Sequence, residues 1–332
     1  MVTIPKSEIF DLVSASLKNS GLCDEKIISD IHDHLIHNEM SGKQSHGLLR
    51  VKGCVNSIKR RGLPTGSPAL ELDNGSIAIV DGNNNIGLVA AKYAMQVAAS
   101  KAKELGISFV GAKNYHGTTG TMNYYNNILA KQGLIGIAGC NSLAMVCHPD
   151  GLDPVIGTNP ISFGIPSSKT PCIIDVTTAQ WSYGKLLDLA KNGLDIPVDA
   201  FVDKNGKPST DIKDAMDGVM LPMNGIKGFA LGLAIEILSG ALIGAKMGAN
   251  KDQESDGIFF IAINPDLFVG QDLFESKVEK LLQEIKSSQK NTQVTNIFIP
   301  GEISSKKHYI SMSNDAIDIT ESVYQELKGL AQ

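Results

Sequence analysis

The chain has 332 residues, of which 42% are hydrophobic and 20% charged, a composition that is ordinary for a globular protein with a substantial core. Its net charge of -5 arises from 30 basic and 35 acidic residues, with no long run of either sign. This balance argues against a nucleic-acid surface and favours a small-molecule partner.

Cysteine usage and the N-terminus indicate the compartment. The five cysteines lack C-x-x-C spacing, lie mostly in apolar stretches and are typical of reduced, buried thiols. The N-terminus has no basic flank, long apolar block or small-residue cleavage site of the kind that secretion signals carry. We therefore expect a cytoplasmic protein.

Helical periodicity marks the first sixty residues. Apolar positions recur at helical spacing over Ile9–Leu17, a break follows at Gly21, and a second helix comes next. A third predicted helix bears His46 and Arg50. It leads to residues 63–76, whose prolines and glycines predict the first domain boundary.

Strands and helices alternate after this boundary. The predicted strands lie at Ser76–Val80, Ile107–Ala112, Leu134–Ala138, Ile161–Ile165, Cys172–Val176, Ile258–Ile263 and Val294–Ile299. The predicted helices lie at Leu88–Leu105, before Gly133, and at Trp181–Lys191, Gly228–Ala245, Asp272–Ser287 and Ser313–Leu327. This alternation predicts an α/β architecture with a parallel sheet.

The segment Gly228–Ala245 is almost entirely apolar and nearly long enough to span a bilayer. It also contains Glu236 and several glycines, which permit the close backbone approach of a tightly packed helix. We expect a buried core or interface helix, and no membrane partner.

His46 and Arg50 are four residues apart, so on one helix they would share a face. A guanidinium grips a carboxylate through two parallel hydrogen bonds, whereas an imidazole changes protonation near neutral pH. The pair therefore suits a small 2-oxo or 2-hydroxy acid. Solvated pairs with this spacing are also common on helix surfaces.

Neither G-x-G-x-x-G nor G-x-x-x-x-G-K-[ST] follows a strand, so a standard Rossmann or P-loop site is excluded. Two other loops offer backbone amides. Residues 114–121 are rich in glycines and hydroxyl side chains and precede the N-terminus of a helix, a place that favours anions. His116 in this loop is either a base that reaches a substrate hydroxyl or a residue that merely caps the helix. The stiff segment Gly157–Pro160 is either a binding wall or a structural turn.

Weaker signals lie further along the chain. Asp175 and the two threonines that follow it end a strand, and these side chains suit ribose or nicotinamide groups. Lys185, Lys227 and the Pro300–Glu302 turn are, taken singly, everyday features of helix starts and turns.

His32, His34 and His37, with Asp33 and Glu39 nearby, are candidate ligands of a metal ion. Residues 34 and 37 share a helix face, 32 does not, and no H-E-x-x-H spacing occurs. We therefore expect a solvated helix face and no metal.

Six motifs together resemble one family. They are Ser45-His46-Gly47 with Arg50, Asn114-Tyr115-His116-Gly117, Asn141-Ser142, Gly157-Thr158-Asn159-Pro160, Asp175–Thr178 with Gly184-Lys185, and Lys227-Gly228. Over about residues 5–328 the chain thus resembles the malate/L-lactate dehydrogenase family that is distinct from Rossmann-type enzymes. That family includes ureidoglycolate, sulfolactate and diketogulonate dehydrogenases and a cyclic-imine reductase. The similarity to ureidoglycolate dehydrogenase is greatest around Gly184–Leu186 and Val202–Gly206.

The resemblance implies a homodimer that transfers hydride between NAD or NADP, with NAD favoured, and a small acid such as malate, lactate or ureidoglycolate. It implies a mainly antiparallel cofactor-binding sheet, in place of the parallel one. A helical N-terminal region, residues 1–70, would pack with residues 305–332 on the substrate side. Residues 71–304 would form the NAD(P)-binding domain, with an inserted segment around residues 120–155.

The resemblance also implies residue roles. His116 would be the general acid/base that takes the hydroxyl proton as C2 passes its hydride to the nicotinamide. The expected substrate-binding residues are His46, Arg50, Thr158, Asn159 and Lys185. The expected cofactor-binding residues are Ser142, Asp175, Val176, Thr177, Lys227, Gly301 and Glu302.

Three features depart from the family pattern. The loop between His116 and Gly133 is two residues longer than in most members, Cys54 replaces a frequent tyrosine, and the stretch Asn250–Asp256 is shorter. The first two predict an altered pocket.

Two alternatives remain. One is reduction of a cyclic imine carboxylate of the pyrroline or piperideine type, whose reductase pattern has an aspartate where this chain has Lys185. A lysine there would repel an iminium, so a carbonyl substrate is favoured. The other is a member that has lost catalysis, which the presence of His116, His46 and Arg50 argues against.

Overall fold

The computed structural model describes residues 1–191, 193–211, 214, 218–249 and 256–332, so nearly all of the shortened stretch Asn250–Asp256 lies outside it. The strands are β1 (Val2–Pro5), β2 (Ala69–Asn74), β3 (Ile77–Asp81), β4 (Ile107–Lys113), β5 (Ile135–Cys140), β6 (Ile161–Ile165), β7 (Cys172–Val176), β8 (Phe201–Val202), β9 (Val219–Met220), β10 (Ile258–Ile263) and β11 (Ala316–Ile319). The α-helices are α1 (Lys6–Lys18), α2 (Glu25–Met40), α3 (Val51–Arg61), α4 (Gly87–Leu105), α5 (Met122–Lys131), α6 (Tyr183–Lys191), α7 (Ile226–Ser239), α8 (Gln271–Ser287), α9 (Glu302–Met312) and α10 (Glu321–Ala331).

The two ends of the chain form one helical layer. Strand β1 pairs antiparallel with β11, α10 packs against α1 and α3, and α9 packs against α2. Buried aliphatic side chains from α1, α2, α3 and α10 form one continuous apolar core. This core excludes water from the contact between the N-terminal and C-terminal segments.

The central sheet has the strand order β2-β3-β4-β10-β5-β6-β7. Strands β3 and β4 are parallel because α4 crosses between them, and every other neighbouring pair is antiparallel. The parallel sheet expected from alternation is therefore wrong, whereas the mainly antiparallel α/β fold implied by the resemblance is confirmed. The difference arises because β10, distant in sequence, inserts between β4 and β5.

Helices α4 and α5 cover one face of this sheet. Helix α4 packs on β4 and β10 through a row of fully buried alanines, and α5 packs on β5 and β6. Small side chains along α4 allow its backbone to approach the strands closely. Both α5 and β5 fall within the expected inserted segment around residues 120–155, and both belong to this central layer.

Three elements predicted from the sequence are wrong. Residues 294–299 form an irregular segment instead of a strand, and the helix expected over 313–327 is replaced by β11 and α10. Pairing of β11 with β1 is a long-range contact that local periodicity does not reveal. The helix expected to carry His46 and Arg50 consists of two 3-10 turns, Gln44–His46 and Leu48–Arg50.

The apolar helix α7 is half covered. Its buried residues include Gly228, Gly232, Ile235 and Glu236, and it contacts β5 and β10. The opposite face exposes Ile226, Leu231, Leu233 and Ile237 to solvent. Among the described residues, Ile226–Ile243 is the one helical stretch whose length and composition would allow it to cross a bilayer.

Candidate active site

A cavity of about 820 Å³ lies where the helical layer meets the ends of β5, β6 and β7. Its wall includes the two 3-10 turns, the residues that lead into α5, the end of β7 and the start of α6. This volume is near the upper end of the range of about 300–1,000 Å³ for small-molecule sites. The cavity has room for a small acid together with part of a larger ligand.

The cavity brings together most of the residues expected at the site. Its lining includes His46, Arg50, Ser142, Thr158, Asp175, Val176, Thr177 and Lys185. The lining does not include the other expected residues, which are His116, Asn159, Lys227, Gly301 and Glu302.

His46 and Arg50 reach the cavity through a break at Gly47, which has φ -92° and ψ -141°. The His46 Nδ1 atom lies 3.0 Å from the Ser45 hydroxyl, and the Arg50 Nε–H donates to the Ser45 carbonyl at 2.8 Å. One backbone turn therefore orients both side chains, although they do not share a helix face as the sequence predicted. The functional groups nevertheless face one space.

Burial sets the charge of both groups. Burial, reinforced by the charge of Arg50 and opposed by Asp175, lowers the pKa of His46 to about 4. Burial also lowers the pKa of Arg50 from its usual value, but a guanidinium stays protonated at neutral pH. At pH 7 the cavity therefore presents a neutral imidazole beside a cation.

His116 lies elsewhere. Its side chain is 1% exposed, and its Nδ1 atom is 2.7 Å from the hydroxyl of Ser57 on α3. Its backbone N–H donates to Asn85, and its carbonyl accepts from Gly87, so the loop is fixed at this point. Burial and the nearby positive charge of Arg61 lower the pKa of His116 to about 4.

The loop after His116 brings other residues to the cavity. Gly117 and Gly120 both have φ near +70°, and the chain turns so that Gly120, Thr121 and Met122 form part of the cavity wall. The cavity wall near α5 therefore carries the hydroxyl of Thr121.

Asn159 supports the wall from behind. This fully buried residue has φ +29°, and its Nδ2 donates to Glu236 Oε2 at 2.7 Å and to the Gly232 carbonyl at 2.9 Å. Its Oδ1 accepts from the backbone N–H of Ser142 at 3.3 Å. Glu236 in turn binds Asn141 and the Gly248 N–H. A carboxylate buried in α7 thereby fixes two loops of the cavity.

The other side of the cavity carries hydroxyls and one carboxylate. Asp175 Oδ2 pairs with Lys43 Nζ at 2.9 Å, and the Ser142 Oγ accepts from the Thr158 N–H at 3.1 Å. The Thr177 hydroxyl donates to the Thr158 carbonyl at 2.8 Å. Closely grouped hydroxyls and a carboxylate fit the hydroxyl groups of a ribose.

The remaining expected cofactor residues lie outside this lining. Lys227 is exposed at the start of α7. Gly301, with φ +85°, precedes α9, where Glu302 pairs with Lys286 at 2.6 Å and accepts from the Ile299 N–H at 3.0 Å. Gly301 and Glu302 thus form the start of α9.

Comparison with known proteins decides the family. The family model described as malate/L-lactate dehydrogenase matches residues 4–328. The chain belongs to the malate/L-lactate dehydrogenase family. Its members among the relatives described below are oxidoreductases that act on hydroxy acids.

The similarity extends along the whole chain. An L-sulfolactate dehydrogenase of Methanocaldococcus jannaschii is 33% identical, covering 99% of this chain and 96% of the relative. The ureidoglycolate dehydrogenase (NAD(+)) of Escherichia coli is 29% identical over 98% of this chain and 94% of its own length. The local similarity to ureidoglycolate dehydrogenase therefore does not make it the more similar of the two.

A solved structure supports the fold. The malate dehydrogenase of Entamoeba histolytica superimposes with a TM-score of 0.92 at 26% identity, covering 99% of this chain and 97% of that one. The mixed sheet and the helical layer are thus shared with a dehydrogenase of this family.

Sequence reasoning missed three features of this cavity. Lys43, Thr121 and the support from Glu236 were not identified. Two of them could have been found from the sequence. Lys43 lies two residues before the Ser-His-Gly motif, and Glu236 is the single acidic residue within an apolar helix. Thr121 carried no such signal, because its place depends on the path of the loop after His116.

The histidines of α2 are not on a solvated face, which corrects the sequence-based expectation. His34 is buried and its Nε2 accepts from the Thr121 N–H at 3.1 Å. The ring of His37 lies 4.4 Å from that of His308 on α9. Within the described residues, no group of three or more histidine, cysteine or acidic side chains could hold a metal.

Proposed function

We propose that the protein transfers a hydride between a nicotinamide cofactor and C2 of a small 2-hydroxy or 2-oxo acid. The observation that carries this proposal is the shared cavity, in which Arg50 and His46 face the hydroxyl-rich wall around Asp175. Two relatives are named as dehydrogenases of sulfolactate and ureidoglycolate, which are both hydroxy acids, and these names support the same hydride-transfer reaction.

A bound NAD or NADP supplies the hydride donor or acceptor. Ser142, Asp175, Val176 and Thr177 are the residues we propose to hold it, because all four line the cavity together. We favour NAD, since the ureidoglycolate dehydrogenase relative is named for NAD(+).

We assign substrate binding to Arg50 and proton transfer to His46. The guanidinium of Arg50 would hold the C1 carboxylate, which leaves the C2 oxygen to a neighbouring group. His46 is neutral at pH 7 because burial lowers its pKa to about 4, so it can accept the hydroxyl proton during oxidation. His116 was expected in this role, but it does not line the cavity.

We propose that the substrate carries a second acidic group, as malate and sulfolactate do. The described lining has three basic side chains, Lys43, Arg50 and Lys185, against the single carboxylate of Asp175, which already pairs with Lys43. Lys185 is exposed, and its ammonium lies 5.0 Å from the centre of the Trp181 ring. A positive excess favours a dianion and disfavours a cationic cyclic iminium.

We also propose the domain division stated above, with residues 1–70 and 305–332 on the substrate side and residues 71–304 on the cofactor side. Separate apolar cores beneath the helical layer and beneath the sheet support it. A cytoplasmic location is supported by five free cysteines, four of them buried.

We further propose a homodimer formed through α7. The exposed side chains of Ile226, Leu231, Leu233 and Ile237 make one face of this helix apolar. An apolar face of this extent on a protein surface favours a protein interface. A second copy can cover it with the same face, because a twofold interface is self-complementary.

The two histidines provide the first test. Replacing His46 with alanine should lower kcat by at least about 100-fold in both directions, because general acid–base catalysis contributes about 10²–10⁴-fold. In wild type, the oxidation rate should fall only as the pH drops towards about 4, where His46 gains its proton. Stopped assays across pH measure both effects. NADH binding, followed by fluorescence, shows whether the variant still binds the cofactor.

The matched control is His116→Ala. It should keep kcat within about tenfold of wild type and unfold at lower denaturant, since it removes the contact with Ser57. Loss of turnover in H116A, with turnover kept in H46A, would return the role to His116.

Substrate class is tested by absorbance loss of NADH and NADPH with oxaloacetate, sulfopyruvate, pyruvate and a pyrroline carboxylate. We expect higher kcat/KM for the two dianions, and a loss of about 10-fold or more for them in Lys185→Ala, because a hydrogen bond to a charged group contributes about 1.5–3 kcal/mol. The kcat/KM for pyruvate should change little in Lys185→Ala. Turnover of the imine with none of the 2-oxo acids would contradict the proposal.

The dimer is tested by sedimentation equilibrium. Wild type should have twice the mass of one chain, and Ile237→Glu should shift the mass towards one chain because a buried, unpaired charge is costly. Leu105→Glu, at an exposed site on α4, is the control and should stay dimeric. A monomeric wild type that instead sediments with lipid vesicles would assign α7 to a membrane surface.

A further inference from the structure

A buried polar row on α2 lies directly behind the cavity. His34, Asn38 and Glu39 are all buried, and positions 34 and 38 follow each other on one helix face. Buried polar groups are costly unless they are hydrogen-bonded. Each of these three side chains has a partner on a segment that forms or supports the cavity wall.

Asn38 bonds to both walls at once. Its Nδ2 donates to the His46 carbonyl at 3.1 Å, and its Oδ1 lies 2.7 Å from the Thr121 hydroxyl. The same hydroxyl lies 2.5 Å from Asn123 Oδ1. Turning the Asn123 amide so that its NH₂ donates satisfies both contacts and leaves the Thr121 proton for Asn38.

The neighbouring side chains fix each wall separately. The His34 Nε2 accepts from the Thr121 N–H, and the ring lies so close to Gly120 that a Cβ there would be 1.9 Å from Nε2. The Glu39 Oε2 accepts from the Leu48 N–H at 3.0 Å. His34 therefore holds the Thr121 wall, Glu39 holds the His46 wall, and Asn38 alone among the three touches both.

We propose that Asn38 is a positioning residue that sets the spacing between the His46 wall and the Thr121 wall of the cavity. This inference rests on the proposed function, because it places His46 for proton transfer. The geometry requires a donor towards the His46 carbonyl and an acceptor towards Thr121. The asparagine amide offers both without any change of protonation.

The first experiment compares Asn38→Asp with wild type. At pH values above the pKa of the new carboxyl group, the aspartate keeps the acceptor towards Thr121 but places a second acceptor against the His46 carbonyl, so we expect kcat to fall at least about tenfold. NADH binding, measured by fluorescence, should stay within about twofold. Thr121→Val should lower kcat in the same way, whereas Thr121→Ser, which keeps the hydroxyl, should restore it.

Asn126→Asp is the matched control. Asn126 is buried as completely as Asn38, but it lies on α5 against Gly136 and Gly164, away from the cavity lining. We expect this variant to lose stability in urea while its kcat stays near wild type at a temperature where it is folded. Equal loss of kcat in N126D and N38D would overturn the positioning role.

Hydrogen exchange separates this inference from the proposed function. Asn38→Asp should speed amide exchange in both segments 44–50 and 119–123, whether or not a substrate is known. Faster exchange in only one segment, or wild-type kcat in N38D, would overturn the inference. A wild type that reduces no 2-oxo acid would instead contradict the proposed function.

Discussion

The contact between the Glu39 carboxylate and Gly47 fixes the direction in which His46 and Arg50 point. A Cβ at residue 47 would lie 2.2 Å from Glu39 Oε2, so only glycine lets α2 pack this closely against the Ser-His-Gly turn. Burial raises the pKa of Glu39 to about 7, opposed by the N–H of Leu48. The turn breaks the helix here, and the imidazole and guanidinium enter the cavity on separate 3-10 turns.

Burial gives His46 and His116 the same electrostatic character, because it lowers the pKa of each to about 4. Their pKa values therefore do not distinguish a proton-transfer group from a structural one. Their positions differ: His46 lines the cavity with Arg50, whereas His116 bonds to Ser57 on α3. Glu236 and Asn159 complete the frame by holding the Ser142 loop from the opposite side.

Local periodicity predicted the strands from β3 to β7 and helix α4, because these elements carry clear apolar patterns. The resemblance also supplied the mainly antiparallel sheet and most of the cavity residues. The insertion of β10 between β4 and β5 depends on contacts more than a hundred residues apart. The break at Gly47 depends on packing against Glu39, and the contact between His116 and Ser57 joins residues 59 positions apart in the sequence. Neither leaves a periodic signal.

The most direct measurement is a crystal structure of the protein with NADH and oxamate, a non-reacting mimic of a 2-oxo acid. The oxamate carboxylate should bind Arg50, and its carbonyl oxygen should lie within hydrogen-bond distance of the His46 ring. Oxamate bound against His116, or away from Arg50, would contradict the assignment of this cavity as the site of hydride transfer.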